Sequence, residues 1–234
     1  MEGFGETVVH LCDLYQAAPA LSEQGERVIT TDELSGVQAL ERLHPALPMR
    51  PGQVERQEFE YVRHGTATFL LSRDVATGQV IAPVAGRTRT ELDFLAHVQG
   101  VVATGPEVLR WHFVADNLDI HLSESLVRWV AAVSGVETDL GKKGKTGVLK
   151  NRASRRAFLS EESHSVVFHY TPKHSSWMNQ MEIWLSILTR KVLRRGNFAS
   201  VEHLHERVLA FIEYYNRTMA RPFQWTYRGK ALVA

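Results

Sequence analysis

The run Trp111-His112-Phe113-Val114-Ala115 constrains the fold of this chain more than any other feature. It is short, nearly all apolar and closed by Asp116-Asn117. Such a run, without polar alternation, reads as a strand buried on both faces. A buried strand needs neighbouring strands at its sides and helices above and below, and the chain supplies both. Thr66 to Ser72 and Gln79 to Val84 flank the turn Asp74-Val75-Ala76-Thr77-Gly78, the pattern of a hairpin. Arg27 to Thr31 and Val166 to Tyr170 are further strands, and 56–64 is an extended segment. Apolar residues at helical spacing mark 7–19, 88–101, 121–133, 182–193 and 201–215. The second of these opens on a threonine cap, Thr88, with a capping box to Glu91. Ala20 to Arg27 reads as a connection. Ser35 to Pro51, broken by His44-Pro45, Pro48 and Pro51, reads as irregular. The order predicts an α/β chain: a mixed sheet with flanking helices.

Composition narrows the class. The 234 residues permit one large domain or two small ones, and a hydrophobic fraction of 44% suits a globular core. A formal net charge of +1 gives no global basic signature, so nucleic-acid contact has to come from local patches. The single cysteine, Cys12, excludes an internal disulfide framework and a cysteine-rich zinc site, and fits a reducing compartment. The eleven histidines show no HExxH or Cys/His metal spacing. No stretch approaches the ~18 consecutive apolar residues of a membrane span. The opening Met1-Glu2-Gly3-Phe4-Gly5-Glu6 lacks the basic and apolar regions of an export signal, so a cytoplasmic protein is expected.

Three acids stand at element ends. Asp32 follows Val28-Ile29-Thr30-Thr31, Asp116 closes the apolar strand, and Glu182 opens a helix. Any one of them alone reads as a turn or cap residue. Two acids at strand ends and a third on a helix can instead converge on one point. An all-oxygen set without thiols suits Mg²⁺ or Mn²⁺, and two such ions clamp the attacking and leaving oxygens of a phosphoryl transfer.

Around these acids the sequence resembles a known family. Thr31-Asp32-Glu33, Ala115-Asp116-Asn117 and the segment Thr171-Pro172-Lys173-His174-Ser175-Ser176-Trp177-Met178-Asn179-Gln180-Met181-Glu182 look like the catalytic segments of bacterial insertion-sequence transposases. These belong with the mariner-like transposases and their RNase-H-like DDE domain. The resemblance runs from about Val28 to Leu232 and includes Gly36 to Arg42, Tyr61 to Thr66, Tyr214-Tyr215-Asn216 and Arg221-Pro222-Phe223. It implies an RNase-H-like mixed sheet over 27–234, with 1–26 as an N-terminal helix and linker. It also implies Asp32, Asp116 and Glu182 as a catalytic triad holding Mg²⁺ or Mn²⁺, two ions in all. The implied activity is DNA nicking and strand transfer, with the element's terminal inverted repeats and target DNA as partners. A homodimer in a synaptic complex, no membrane and a nucleoid association go with it.

The neighbours of the acids carry two readings each. Asn117 orients Asp116 or approaches DNA, or is a turn residue. Glu33 is a supporting acid or a solvent-facing salt-bridge partner. His174, Ser175, Ser176 and Asn179 precede the Glu182 helix and can contact phosphate, or cap it. Trp177 stacks on a base or is buried in packing. Residues 141–156 hold seven basic side chains and no acidic one: Lys142, Lys143, Lys145, Lys150, Arg152, Arg155 and Arg156. They read as a glycine-loosened DNA-contacting insertion over about 141–165, or as a solvated loop. Arg190 and Lys191, with Arg194 and Arg195, form a second basic patch or complement a helix dipole. Gly141-Lys142-Lys143-Gly144-Lys145-Thr146 does not have phosphate-loop spacing, so nucleotide binding is excluded.

Relatives of this kind usually carry helix-turn-helix modules before the catalytic domain, and some 25 residues are too few for one. The expectation is a truncated or split-frame copy, with an upstream helix-turn-helix protein as a further partner. An inactive DNA-binding or regulatory fragment is the rival reading, and RNA–DNA hybrid cleavage a third.

Overall fold

The computed structural model of the chain describes residues 4–56 and 58–228. The opening Met1-Glu2-Gly3 and the stretch 229–234, where the resemblance ends at Leu232, lie outside the described residues. Five strands form one sheet: β1 (Glu26–Arg42), β2 (Tyr61–Asp74), β3 (Val80–Gly86), β4 (Arg110–Ala115) and β5 (Val166–Tyr170), in the order β3-β2-β1-β4-β5. β1, β2 and β3 form an antiparallel meander, while β1 pairs in parallel with β4 and β4 with β5. This is the mixed sheet that the order of elements predicts.

β4 is central to one half of it, and Trp111 through Ala115 are all buried. Successive side chains alternate between faces. Trp111, Phe113 and Ala115 pack with Ile29, Phe168 and Tyr170 against α2 (Glu91–Ala103), α3 (Glu124–Val133) and α4 (Arg152–Leu159). On the other face Val114 and Val28 meet α1 (Phe4–Glu23). Phe69, Leu71 and Val80 meet α5 (Gln180–Leu188) and α6 (Val201–Thr218). Burying each such side chain is worth roughly 1.5–3 kcal/mol. Among the described residues no helix is long and apolar enough to cross a membrane.

Several elements depart from the sequence reading. α1 runs on to Glu23, leaving only a tight turn before β1. β1 is 17 residues long and takes in the stretch from Ser35 to Arg42 that reads as irregular. Its pairing with β2 shifts register between Leu34 and Val37 and again between Gln38 and Leu40, and Gly36 adopts φ +70° there. Such bulges break the period-two pattern that would have betrayed the strand. α2 is capped by Thr90 with Asp93, and Thr88 only adds a hydrogen bond of 2.7 Å to Asp93. The helix carrying Glu182 starts at Gln180, and its end, Thr189–Leu193, is a π turn. The glycines of 141–147 close a knuckle. Lys142 N–H donates to the Thr146 carbonyl at 3.2 Å, and Thr146 N–H donates back at 3.1 Å. Gly141 has φ +82°, and a Cβ there would lie 2.1 Å from the Thr146 oxygen, so only glycine permits the turn.

Candidate active site

The sheet order sets the site. Thr30 and Val114 are paired across β1 and β4, so the residues two further on lie side by side. Asp116 is one residue past the end of β4, whereas Asp32 is not the strand-end acid that the sequence suggests but sits inside the long β1, opposite Leu71 of β2. Asp32 lies on the face covered by α5, and Glu182 sits in the first turn of that helix. Asn179 makes the connection. As N-cap of α5 its Oδ1 accepts from Met181 N–H at 3.1 Å. Its fully buried Nδ2 donates to the Thr31 carbonyl at 2.9 Å and to Asp32 Oδ2 at 3.3 Å. One side chain thus ties the helix that bears Glu182 to the strand that bears Asp32. Behind it, Gln180 accepts from the fully buried guanidinium of Arg73 at 2.9 Å, and Arg73 also donates to the Arg221 carbonyl at 2.9 Å.

Burial pushes the Asp32 carboxyl up to about 7. The Glu33 N–H, 2.9 Å from Oδ1, pulls it back, and the negative charges of Glu33, Glu182 and Asp116 push it up further. The three acids therefore feel one another, and among the described residues no basic side chain bonds Asp32.

Asp116 is held differently. Its Oδ1 accepts from Leu118 N–H at 2.9 Å and from His121 Nδ1 at 2.8 Å. The other nitrogen of His121, Nε2, reaches Glu33 Oε2 at 3.1 Å, and Arg89 meets Glu33 Oε1 at 3.2 Å. Burial alone would lower the His121 imidazole, but Asp116 and Glu33 outweigh it and raise it to about 9. Burial likewise opposes the Asp116 charge, and His121, the Leu118 N–H and Arg89 overcome it, holding the carboxyl below its ordinary range. His121 is the residue that sequence reasoning missed: it read as the first residue of a helix. It lies instead on the short 3₁₀ turn Asp119–Leu122, and its signal was position alone, five residues beyond the acid.

Among the described residues no group of three His, Cys, Asp or Glu side chains is drawn close enough to hold a metal ion. Asp116 is turned to His121, and the carboxylates repel. The donor chemistry still fits a hard cation, because Asp32, Asp116 and Glu182 offer oxygens only.

The other predicted residues divide. Glu33 is buried in the His121–Arg89 network. Asn117 does not bond Asp116; its amide donates to the Thr171 carbonyl at 2.6 Å and its oxygen accepts from Arg156 at 2.8 Å. Arg156 lies over Tyr170, and Arg155 donates to the Leu122 and Leu149 carbonyls, so both are spent inside the fold. Lys142, Lys143, Lys145 and Lys150 are exposed, Lys143 within 3.9 Å of Glu91. Arg152 reaches Asp119 at 2.7 Å beside the site. Ser175 is buried, whereas His174, with φ +61°, and Ser176 are exposed. With Lys173, both line a cleft of about 350 Å³ next to Asp116. Trp177 is 51% exposed rather than buried, edge-on to Tyr227. Arg190 and Lys191 are exposed on the π turn that follows α5.

Residues 27–205 match the model of a family described as DDE superfamily endonuclease. None of the curated proteins matches the chain. Among solved structures it is similar to the Mos1 mariner paired-end complex with Mn, at 15% identity and a TM-score of 0.52, over 93% of this chain and 58% of that one. The Mos1 transposase paired-end complex with left transposon end gives 14% and 0.52, over 98% and 58%. The catalytic domain of Mos1 mariner transposase gives 13% and 0.51, over 98% and 87%. These likenesses establish the fold as the RNase-H-like transposase type. The chain spans 58% of the length of the first two of these structures.

Proposed function

The chain belongs to the DDE superfamily of endonucleases, and on that premise we propose that it is the catalytic domain of an insertion-sequence transposase, with Asp32, Asp116 and Glu182 as its metal-holding triad. The observation that carries this reading is geometric: β1 and β4 set Asp32 beside Asp116, and Asn179 ties Asp32 to the start of the helix whose first turn bears Glu182. Acids from three separate segments share one electrostatic environment, and among the described residues no basic side chain bonds Asp32. Such a set is stable in charged form only with a positive partner. Mg²⁺ or Mn²⁺, two ions in all, would activate a water or a DNA 3′-hydroxyl as nucleophile and stabilise the leaving oxygen.

The residues of the chain do the positioning. Asn179 fixes Asp32 and the start of α5 as one unit, so Glu182 keeps its place relative to β1. His121 and the Leu118 N–H fix the Asp116 carboxylate, and Glu33 with Arg89 holds His121. Lys173 and His174, in the cleft beside Asp116, are placed for a DNA phosphate. The knuckle lysines Lys142, Lys143 and Lys145, with Lys150 and Arg152, supply sequence-independent backbone contacts. Water as nucleophile gives a nick, and a DNA 3′-hydroxyl gives strand transfer. The paired-end complexes of Mos1 transposase support transposon-end DNA as substrate and a homodimer in a synaptic complex as the working assembly.

The test is nicking of supercoiled plasmid with Mg²⁺ or Mn²⁺ by the parent and by Asp116→Asn. The substitution keeps size and removes a metal-holding charge. It should abolish nicking while the protein remains folded by circular dichroism. A folded Asp116→Asn protein that nicks as the parent does would sink the triad.

A further inference from the structure

A second concave surface lies away from the acids, between the segment after α5 and the outer side of α6. Its volume is about 590 Å³, within the range of roughly 300–1,000 Å³ for small-ligand sites, the size of a single nucleotide. Lys191 and Arg195 line one wall. His203, Arg207, Phe211 and Tyr214 line the other, recurring along one stripe of α6. The charges on this surface have one sign. Glu202, Glu206 and Glu213 each stand one position before a stripe residue, turned away round the helix by the 3.6-residue period, and none lines the cleft. Among the described residues neither Lys191, Arg195 nor Arg207 has an ion-pair partner.

Tyr214 gives the surface its character. It opens the motif Tyr214-Tyr215-Asn216, whose other two members are spent on the fold. Tyr215 is buried in the α5–α6 core, and Asn216 clamps Val80 with two hydrogen bonds, accepting from its N–H at 2.9 Å and donating to its carbonyl at 2.7 Å. The backbone at this point is pinned, and the Tyr214 ring is left 50% exposed beside the cations. The opposite wall begins at the π turn Thr189–Leu193, an irregularity frequent at functional sites. An exposed aromatic ring among unpaired cations is the combination that takes a stacked base together with its phosphates.

We propose that this cleft binds an unpaired DNA nucleotide, its base on Tyr214 and Phe211 and its phosphates on Lys191, Arg195 and Arg207. The choice of DNA rests on the reading given under Proposed function; the unpaired state rests on the size of the cleft and the exposed ring. Cleavage is not needed to test it. Binding of the full chain to a labelled oligothymidylate and to a blunt hairpin duplex is measured by fluorescence anisotropy in EDTA across a salt series. Tyr214→Ala should weaken single-strand binding about tenfold and duplex binding less than about twofold, and Tyr214→Phe should bind as the parent does. Arg207→Gln should lower the slope of log affinity against log salt by about 0.7 for the single strand. Unchanged single-strand affinity in Tyr214→Ala would overturn the proposal. So would an equal loss for both probes, which would mark a general duplex surface. A folded Asp116→Asn protein that nicks as the parent does, beside an intact Tyr214 effect, keeps this site and loses the triad; loss of nicking in Asp116→Asn with no Tyr214 effect keeps the triad and loses this site.

Discussion

The β4 flank of the candidate site and its β1 flank both bury carboxylates, with opposite results. On the β4 flank His121 is fully buried between Asp116 and Glu33; these carboxylates hold its imidazole up at about 9 against burial, and His121 helps hold Asp116 below its ordinary range. On the β1 flank Asp32 meets only an amide and a backbone N–H, and its carboxyl is driven up to about 7. Burial is common to both flanks, so the partner decides the charge. The β4 flank is a closed network that holds the turn after β4 in shape. The β1 flank sets the Asp32 carboxyl next to two further acids with no basic side chain bonded to it among the described residues, an arrangement that costs stability.

The strongest way to break this contrast is to empty the β4 network. His121→Ala leaves Glu33, whose side chain is 4% exposed, with Arg89 alone, and leaves Asp116 with one N–H. Removing one partner of a buried ion pair costs about 3–5 kcal/mol, and because Asp116 is 40% exposed the lower end, about 3 kcal/mol, is expected. Denaturant unfolding of the two proteins measures it. A loss below about 1 kcal/mol, the range of exposed pairs, would mean that the network is solvated and that the flanks do not differ.

Acid sharpens the same contrast among histidines. His121 has two carboxylates and is held charged, whereas His97 and His169 are buried without a carboxylate in contact. His97 bonds the Ser72 hydroxyl at 2.8 Å. His169 lies between His10 at 2.9 Å and His112 at 3.0 Å, and His112 in turn bonds Glu26 at 2.7 Å. Burial first, then neighbouring histidines, lower His97 to about 4 and His169 to about 3. Between those values and the ordinary 6.5 the unfolded chain binds more protons than the folded one, so stability falls as pH falls through that window. Each group contributes up to about 1.4 kcal/mol per pH unit. Urea midpoints at about pH 7 and about pH 5 give the slope, and His97→Gln should flatten part of it. The raised Asp32 carboxyl works the other way across this window, so a slope that His97→Gln leaves unchanged, rather than equal midpoints, would show that this imidazole is not held neutral by the fold.

Much of this architecture is legible in the sequence because the buried strands advertise themselves. Val166–Tyr170 has the bounds that its apolar run suggests, and β4 adds one residue, Arg110, to its own. The hairpin and the long last helix are equally plain. The failures have physical causes. The second half of β1 hides behind its bulges, which shift the pairing between Leu34 and Val37 and between Gln38 and Leu40 and so break the period-two pattern. α4 is masked by Arg152, Arg155 and Arg156, with Leu159 its only buried residue. At the site, the adjacency of Asp32 and Asp116 follows from the order of the strands. The tie through Asn179 and the bridge through His121 do not, because each joins residues far apart in sequence and local spacing encodes neither.

The smallest expected effect compares the two aspartates directly. Asp32→Asn removes a buried charge that lacks a counter-ion. The amide oxygen can still accept from Glu33 N–H, but the new NH₂ cannot accept from Asn179, so a hydrogen bond of 3.3 Å is lost. That loss is worth about 1 kcal/mol, and relief of a raised carboxyl gives somewhat more in return, leaving a net stabilisation on the order of 1 kcal/mol at neutral pH. Asp116→Asn should do the reverse, because it strips His121 of a carboxylate. If Mg²⁺ binds the native site, added Mg²⁺ should raise the unfolding midpoint of the parent by mass action and leave that of Asp32→Asn nearly unmoved. Thermal melts of the three proteins with and without the ion decide the matter. Equal destabilisation by both substitutions would show that Asp32 is compensated as well as Asp116 is, and the asymmetry of the site would be gone.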